Sequence, residues 1–136
     1  MDADEARAFL RENHRGVLAT SRGDGRPQLS PVTGTIDDAG RLVISSRETA
    51  YKVRNLRQRP YASYCALNDR FFGAWLQVEG PAELISLPDA MDGLVAYYRS
   101  ISGEHPDWDD YRAAMVRDQR CLIRITPTTV GPNVSG

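Results

Sequence analysis

The chain has little lysine, cysteine or histidine. Of its 17 basic residues a single one, Lys52, is lysine; the rest are arginine. The two cysteines, Cys65 and Cys121, sit in separate apolar runs (ASYCAL and RCLIRI) with no C-x-x-C. With only His14 and His105 as histidines, zinc-ligand spacing is absent. Buried free thiols are the reading that follows. No apolar run approaches the length that spans a bilayer, and the opening MDADEARAFL is acidic and polar, unlike a secretory leader. These features predict a cytoplasmic protein with no membrane partner. The formal net charge of −1 gives no global attraction to nucleic acid or anionic lipid, so any anion recognition must be local. No G-x-G-x-x-G follows a strand, and Gly23-x-Gly25 falls in a turn, which argues against a doubly wound dinucleotide-binding fold. Ser21, Ser30 and Ser63 lack a histidine–acid pattern, which argues against a hydrolase.

What is present reads as one domain over 1–136, with no repeat, low-complexity tract or linker. Asp2 or Asp4 can cap a first helix that runs to about Asn13, with Ala6, Phe9 and Leu10 on one face. Alternation predicts strands over 16–21, 28–36, 41–46, 61–67, 74–86 and 120–126. Asp24-Gly25 and the run 37–40 supply hairpin turns. Pro31, inside the second strand, predicts an edge, a bulge or a ligand-facing position, and Gly80-Pro81 a kink or bulge. A helix is expected over 47–59 from Ala50, Val53 and Leu56, closed by Pro60. Another starts at Leu87-Pro88-Asp89, burying Leu94, Tyr97, Tyr98 and Ile101. A third spans 106–119, with Tyr111, Met115 and Val116 inward. Tight turns between alternating strands imply antiparallel pairing and a small barrel, mainly β with flanking helices.

The stretch SSRETAYKVRNLRQRP, from Ser45 to Pro60, is the best candidate for chemistry. Ser45 and Glu48 have the spacing of a capping box, and Thr49 is a second candidate cap. A helix start offers unpaired N–H groups and the positive end of a dipole. Two hydroxyls and the chain's one lysine beside it would make a phosphate cradle. Each hydrogen bond to a charged group contributes about 1.5–3 kcal/mol. A solvated basic helix face with ordinary serine caps is the competing reading. Asp107, Asp109 and Asp110 beside Trp108 suit the start of a helix better than a metal site. Phe71, Phe72 and Trp75 are either core or dimer contacts or a wall for a flat heterocycle.

Several segments, in this order, resemble one family: GVLAT (16–20), DGRPQLS (24–30), Ile44-Ser45, Lys52-x-Arg54-Asn55-Leu56-Arg57, Val78-Glu79-Gly80 and SGEHPDWDDYR (102–112). It is the pyridoxamine 5′-phosphate oxidase-like split β-barrel family, and within it the branch that uses the deazaflavin coenzyme F420 in place of FMN. The resemblance covers nearly the whole chain. It implies a six-stranded antiparallel split barrel, a homodimer with the cofactor at the subunit interface, and an oxidoreductase passing a hydride from reduced F420 to a small conjugated acceptor. By motif match, the phosphate falls to Ser45, Ser46 and Lys52, and the ring system to the strand holding Gln28, Ser30, Pro31 and Val32. Tyr51 and Asn55 lie near the ribityl chain or tail, Arg54 and Arg57 are further cations for an anionic tail, and Trp75 closes the site. Pro31 stands where the branch often has a polar residue, so that ring-edge contact is either missing or made by backbone. No catalytic side chain is identified. The ending TPTTVGPNVSG lacks the arginine- and tryptophan-containing segment of pyridoxamine phosphate oxidases, which argues against that particular activity. The alternatives are an FMN enzyme of the same fold and a non-catalytic protein that binds the cofactor or another planar ligand such as haem.

Overall fold

The structure, a computed structural model, describes residues 2–131. The elements run α1 (Ala3–Glu12), β1 (Arg15–Ser21), β2 (Pro27–Ile36), β3 (Leu42–Arg47), α2 (Tyr51–Gln58), β4 (Tyr61–Leu67), β5 (Trp75–Ile85), α3 (Met91–Ser102), α4 (Trp108–Arg117), β6 (Arg120–Ile125) and β7 (Thr129–Val130). Asp2 caps α1 as the sequence predicts, its carboxylate accepting from the Glu5 N–H at 2.8 Å. Ala6 and Leu10 are buried under that helix.

Six strands close into an antiparallel barrel in the cyclic order β1-β2-β3-β6-β5-β4, with β7 added to β5. Two strands each serve two partners. β2 pairs with β1 up to Thr33 and with β3 from Gly34 to Ile36. β5 pairs with β4 up to Pro81 and with β6 from Ala82 to Ile85. The Gly80-Pro81 position is therefore where one continuous strand changes partner. Gly80 is required there: a Cβ would lie 1.9 Å from the Thr126 carbonyl oxygen.

The barrel interior is filled by Leu18, Leu42, Ile44, Tyr64, Leu76, Val78, Ile123 and Ile125, joined by Val53 and Leu56 of α2. Gly16 makes room for the Tyr64 ring, whose nearest carbon would be 2.5 Å from an added Cβ. A second apolar cluster lies outside the barrel, where Leu94, Val95 and Tyr111 of α3 and α4 cover Val43 and Leu122. Residues of β3 and β6 thus alternate between two cores, as the twofold side-chain period demands.

The structure corrects several sequence expectations. α2 starts at Tyr51, its N-cap is Ala50, and no side chain caps it. Ser45, Ser46 and Arg47 belong to β3, where they pair with Leu122, Cys121 and Arg120. The predicted capping box fails because this ladder extends the strand past the serines. Its glutamate, Glu48, instead binds Arg57 and accepts from Ser86 Oγ. Thr49 is no cap either. Pro88 and Asp89 occupy a turn ahead of α3, whose N-cap is Ala90. Val116 is 60% exposed rather than inward. The short β7 lies in what reads as a tail; residues 132–136 of that tail fall outside the described residues. No helix among the described residues is long and apolar enough to cross a membrane.

Candidate functional site

The site arises where β2 and β3 part. Their ladder ends at Gly34 opposite Ile44. Continued in register, it would set Thr33 opposite Ser45, Val32 opposite Ser46 and Pro31 opposite Arg47. Instead those six residues line a cleft of about 950 Å³. The Gly34 N–H is directed at β1, donating to the His14 carbonyl at 2.7 Å. By strand alternation, the backbone polar groups of Thr33 and Pro31 turn the other way, toward the opening. Pro31 lacks an N–H and cannot donate to β3. Its place in the strand therefore costs no ladder hydrogen bond and leaves the edge open, in line with the edge position read from the sequence.

Tyr97 of α3 fills the fork. Its hydroxyl donates to the Thr33 carbonyl at 2.8 Å. Burial raises the Tyr97 phenol above its ordinary pKa, against a lowering backbone hydrogen bond from Ser45. Tyr98, Tyr111 and Met115 continue this wall. Tyr111 donates to the Leu94 carbonyl at 2.8 Å, and burial pushes its pKa up to about 12. Around Tyr98 the rings of His105, Trp108 and Tyr111 lie at 5.0, 5.7 and 5.0 Å between centroids. That packing fixes the α3–α4 turn, and Asp107 caps α4 by accepting from the Asp110 N–H at 3.1 Å. The acidic run is thus a cap, as its spacing predicts, and no metal-binding cluster exists among the described residues.

The end of the cleft beside β3 is cationic. Arg47, Lys52 and Arg120 line it, and none of them makes a salt bridge among the described residues. Burial lowers the pKa of Lys52, and the charge of Arg120 lowers it further. Among the described residues, Arg120 Nε is buried with no hydrogen-bond partner and no acidic side chain lines the cleft.

Of the predicted site residues, Pro31, Val32, Ser45, Ser46 and Lys52 line this one cleft. The two serines are consecutive in β3, so their side chains leave opposite faces. Ser46 is 2% exposed, on the face toward the barrel interior, and Ser45 is on the face shared with Arg47. Gln28 and Ser30 precede Val32 on the same strand but do not line the cleft; their Oε1 and Oγ atoms are buried without partners among the described residues. Asn55 Nδ2 donates to Thr20 Oγ1 at 3.0 Å, tying α2 to β1. Tyr51 is 70% exposed at the start of α2, under the Arg54 guanidinium at 5.5 Å, and is not in the cleft wall. Trp75 pairs with Leu67 across β4 and β5; it is Leu67 that reaches the cleft. Arg57 is engaged by Glu48. Phe71 and Phe72 stand on the surface, 78% and 89% exposed. The sequence reading missed Arg120 and the Tyr97 wedge, because both depend on which strands pair.

The family model described as pyridoxamine 5′-phosphate oxidase matches residues 3–133 of the chain. Among solved structures, a conserved hypothetical protein from Mycobacterium tuberculosis has a TM-score of 0.79 at 23% identity, covering 100% of this chain and 92% of that one. A protein named as an F420 reductase has a TM-score of 0.69 at 23% identity, covering 91% of this chain and 94% of that one. A heme binding protein from Mycobacterium smegmatis has a TM-score of 0.71 at 23% identity, covering 94% of this chain and 52% of that one. At these identities the structural likeness is one of fold.

Proposed function

The chain belongs to the pyridoxamine 5′-phosphate oxidase family, and from that premise we propose that it is an oxidoreductase that binds a phosphate-bearing (deaza)flavin in the cleft between β2 and β3. Coenzyme F420 is the proposed cofactor and FMN the alternative. The observation that supports this most is the uncompensated charge at the cleft's end. A half-buried Lys52 with no acidic partner is costly unless an anion joins it. Gln28 Oε1 and Ser30 Oγ, on the strand that leads into the cleft but outside its lining, also have no partners among the described residues.

In this reading Lys52 and Ser45 hold the phosphate, and Gln28, Ser30, Pro31 and Val32 support the ring system. When bound, a reduced deazaflavin supplies a hydride, and the protein contributes orientation and electrostatics. Tyr97 holds the cleft open by taking the Thr33 carbonyl. Tyr97 and Tyr111 spend their hydroxyls on backbone, which leaves Tyr98 as the cleft tyrosine whose O–H is not engaged by protein among the described residues. The acceptor is a small conjugated molecule seated against that aromatic wall.

The protein acts as a homodimer in this proposal, with the cofactor at the subunit interface. Exposed Leu29, Phe71 and Phe72 are the apolar side chains a second copy would cover. Titration of the purified protein with F420 and with FMN, followed by fluorescence, tests the cofactor. Saturable F420 binding is expected; FMN binding with no response to F420 would move the assignment to the alternative, and no binding of either would end it.

A further inference from the structure

The hydrogen bonds on either side of the fork fix which backbone groups face it. Gly34 gives its N–H to His14, so in β2 the even-numbered residues from 28 to 34 bond β1, and the odd-numbered ones face β3 or the cleft. Glu48 gives its N–H to Gln119 at 2.9 Å, so in β3 the even-numbered residues bond β6, and Val43, Ser45 and Arg47 face β2. Both prolines of β2, Pro27 and Pro31, fall on the open register, where a missing N–H costs the β1 ladder nothing. The next hydrogen-bonded pair after Thr35 with Val43 would be Thr33 with Ser45. The Tyr97 hydroxyl stands in its place. It donates to the Thr33 carbonyl at 2.8 Å, and the Ser45 N–H is turned to the same oxygen. Beyond that pair, Pro31 has no N–H to give Arg47, and the Arg47 carbonyl already accepts from the Ala50 N–H at 3.1 Å.

We propose that Tyr97 is the latch and Pro31 the stop of a zipper between β2 and β3, which gives the cleft two widths: open, with the Tyr97 hydroxyl inserted, and narrowed, with Thr33 paired to Ser45 and no pair beyond it. The open state leaves the Thr33 N–H and the Ser45 carbonyl to water. Closing exchanges the contacts of the hydroxyl for two backbone hydrogen bonds, so both states satisfy the fork. The latch belongs to α3, which is tied to the paired half of β2 by the Thr35 and Ser100 hydroxyls, 2.8 Å apart. Tyr97 itself is half-buried and not sealed in a core, so its side chain can turn out while α3 stays seated. Any ligand that lies between the two strands needs the open width, so the latch sets admission to the cleft. The device goes beyond the proposed cofactor and holds whichever ligand the cleft takes.

The experiment is amide hydrogen exchange resolved by residue with NMR on the free protein, which makes it independent of the cofactor reading. It compares wild type, Tyr97→Phe, Tyr97→Ala, and Tyr97→Ala combined with Pro31→Val. In wild type the Thr33 amide should exchange fast and the Gly34 amide slowly. Tyr97→Phe keeps the ring in the fork, and Thr33 should stay fast. In Tyr97→Ala the Thr33 amide should slow by about tenfold or more as it pairs with Ser45, while the Arg47 amide stays within twofold of wild type. Adding Pro31→Val should slow Arg47 as well. A tyrosine with only a packing role would give the opposite sign, because its loss speeds exchange along both strands. Tyr97→Leu fills more of the space but lacks the hydroxyl and the reach. It should show the same slowing at Thr33, and it serves if the alanine variant does not fold. A Thr33 amide that is slow in wild type, or no slower in Tyr97→Ala and Tyr97→Leu, would overturn the latch. Arg47 protection gained with Pro31 in place, or not gained once Pro31 is replaced, would overturn the stop.

Discussion

The Tyr97 hydroxyl and the Thr33 carbonyl oxygen are 2.8 Å apart, at the point where β2 and β3 cease to pair. A helix side chain thereby takes a backbone acceptor that the missing strand would have used. The cleft exists because this substitution satisfies the fork without closing it.

Tyr97→Phe removes the donor and leaves the exposed Thr33 carbonyl to water in the cleft. The expected cost is about 0.5–1.5 kcal/mol of folding stability, read from urea denaturation midpoints. Because burial raises the Tyr97 pKa, the wild type should lose part of its advantage at alkaline pH. The sign follows from linkage: a phenol with a folded pKa above its unfolded value favours folding below the unfolded pKa, and that contribution is lost as pH rises through the folded pKa. The difference between wild type and Tyr97→Phe should therefore shrink from about pH 10 upward.

Lys52 behaves oppositely. Its folded pKa is lowered by burial and by Arg120, so the unfolded chain holds the proton more tightly. Stability therefore rises with pH between the folded value and the unfolded one. Lys52→Met should abolish that rise in stability-versus-pH profiles. The same variant should weaken a phosphate-bearing ligand by roughly tenfold to a hundredfold, the loss of one charge-assisted contact of about 1.5–3 kcal/mol. In wild type, ligand affinity should fall as pH climbs through the lowered lysine pKa.

Gly80→Ala should be among the most damaging single changes in the chain. The added Cβ meets backbone, the Thr126 carbonyl, at 1.9 Å, so no rotamer change relieves it. A loss of about 4 kcal/mol or more is expected, seen as a collapse of the melting temperature or of soluble yield. A wild-type-like melting curve would mean that β5 does not pass β6 as described.

How much of this was legible in the sequence follows from which interactions are local. The strand alternation, the Asp2 and Asp107 caps and the Ala50-Val53-Leu56 face all depend on near neighbours, and each appears where the pattern puts it. The start of α2 does not, because Ser45 to Arg47 are held in β3 by Leu122 to Arg120, more than seventy positions away in the chain. Arg120 reads from sequence as the first residue of a strand, and its meeting with Arg47 appears only once the register is known. Lys52 was legible by its rarity, and the cleft around it was not. Pro31 was legible as an anomaly in a strand; the split ladder gives its reason.

Both thiols should be slow to react in the folded protein. Burial raises the Cys65 pKa and pushes Cys121 up to about 11, so little thiolate exists near neutral pH. Cys121 is also fully buried. Labelling with a disulfide reagent at pH 8 should be slow in buffer and complete for two thiols in denaturant. Rapid native labelling of Cys121 would contradict the packing of β6 against β3.

The proposed function places a phosphate-bearing (deaza)flavin at the cationic end of the split between β2 and β3. A crystal structure of the protein soaked with F420, or with FMN if that is what binds, tests it most directly. A phosphate oxygen is expected within about 3.2 Å of Lys52 Nζ, with the ring system along Gln28 to Val32. A cofactor bound elsewhere, or bound with its phosphate in solvent away from Lys52 and Arg120, would contradict it.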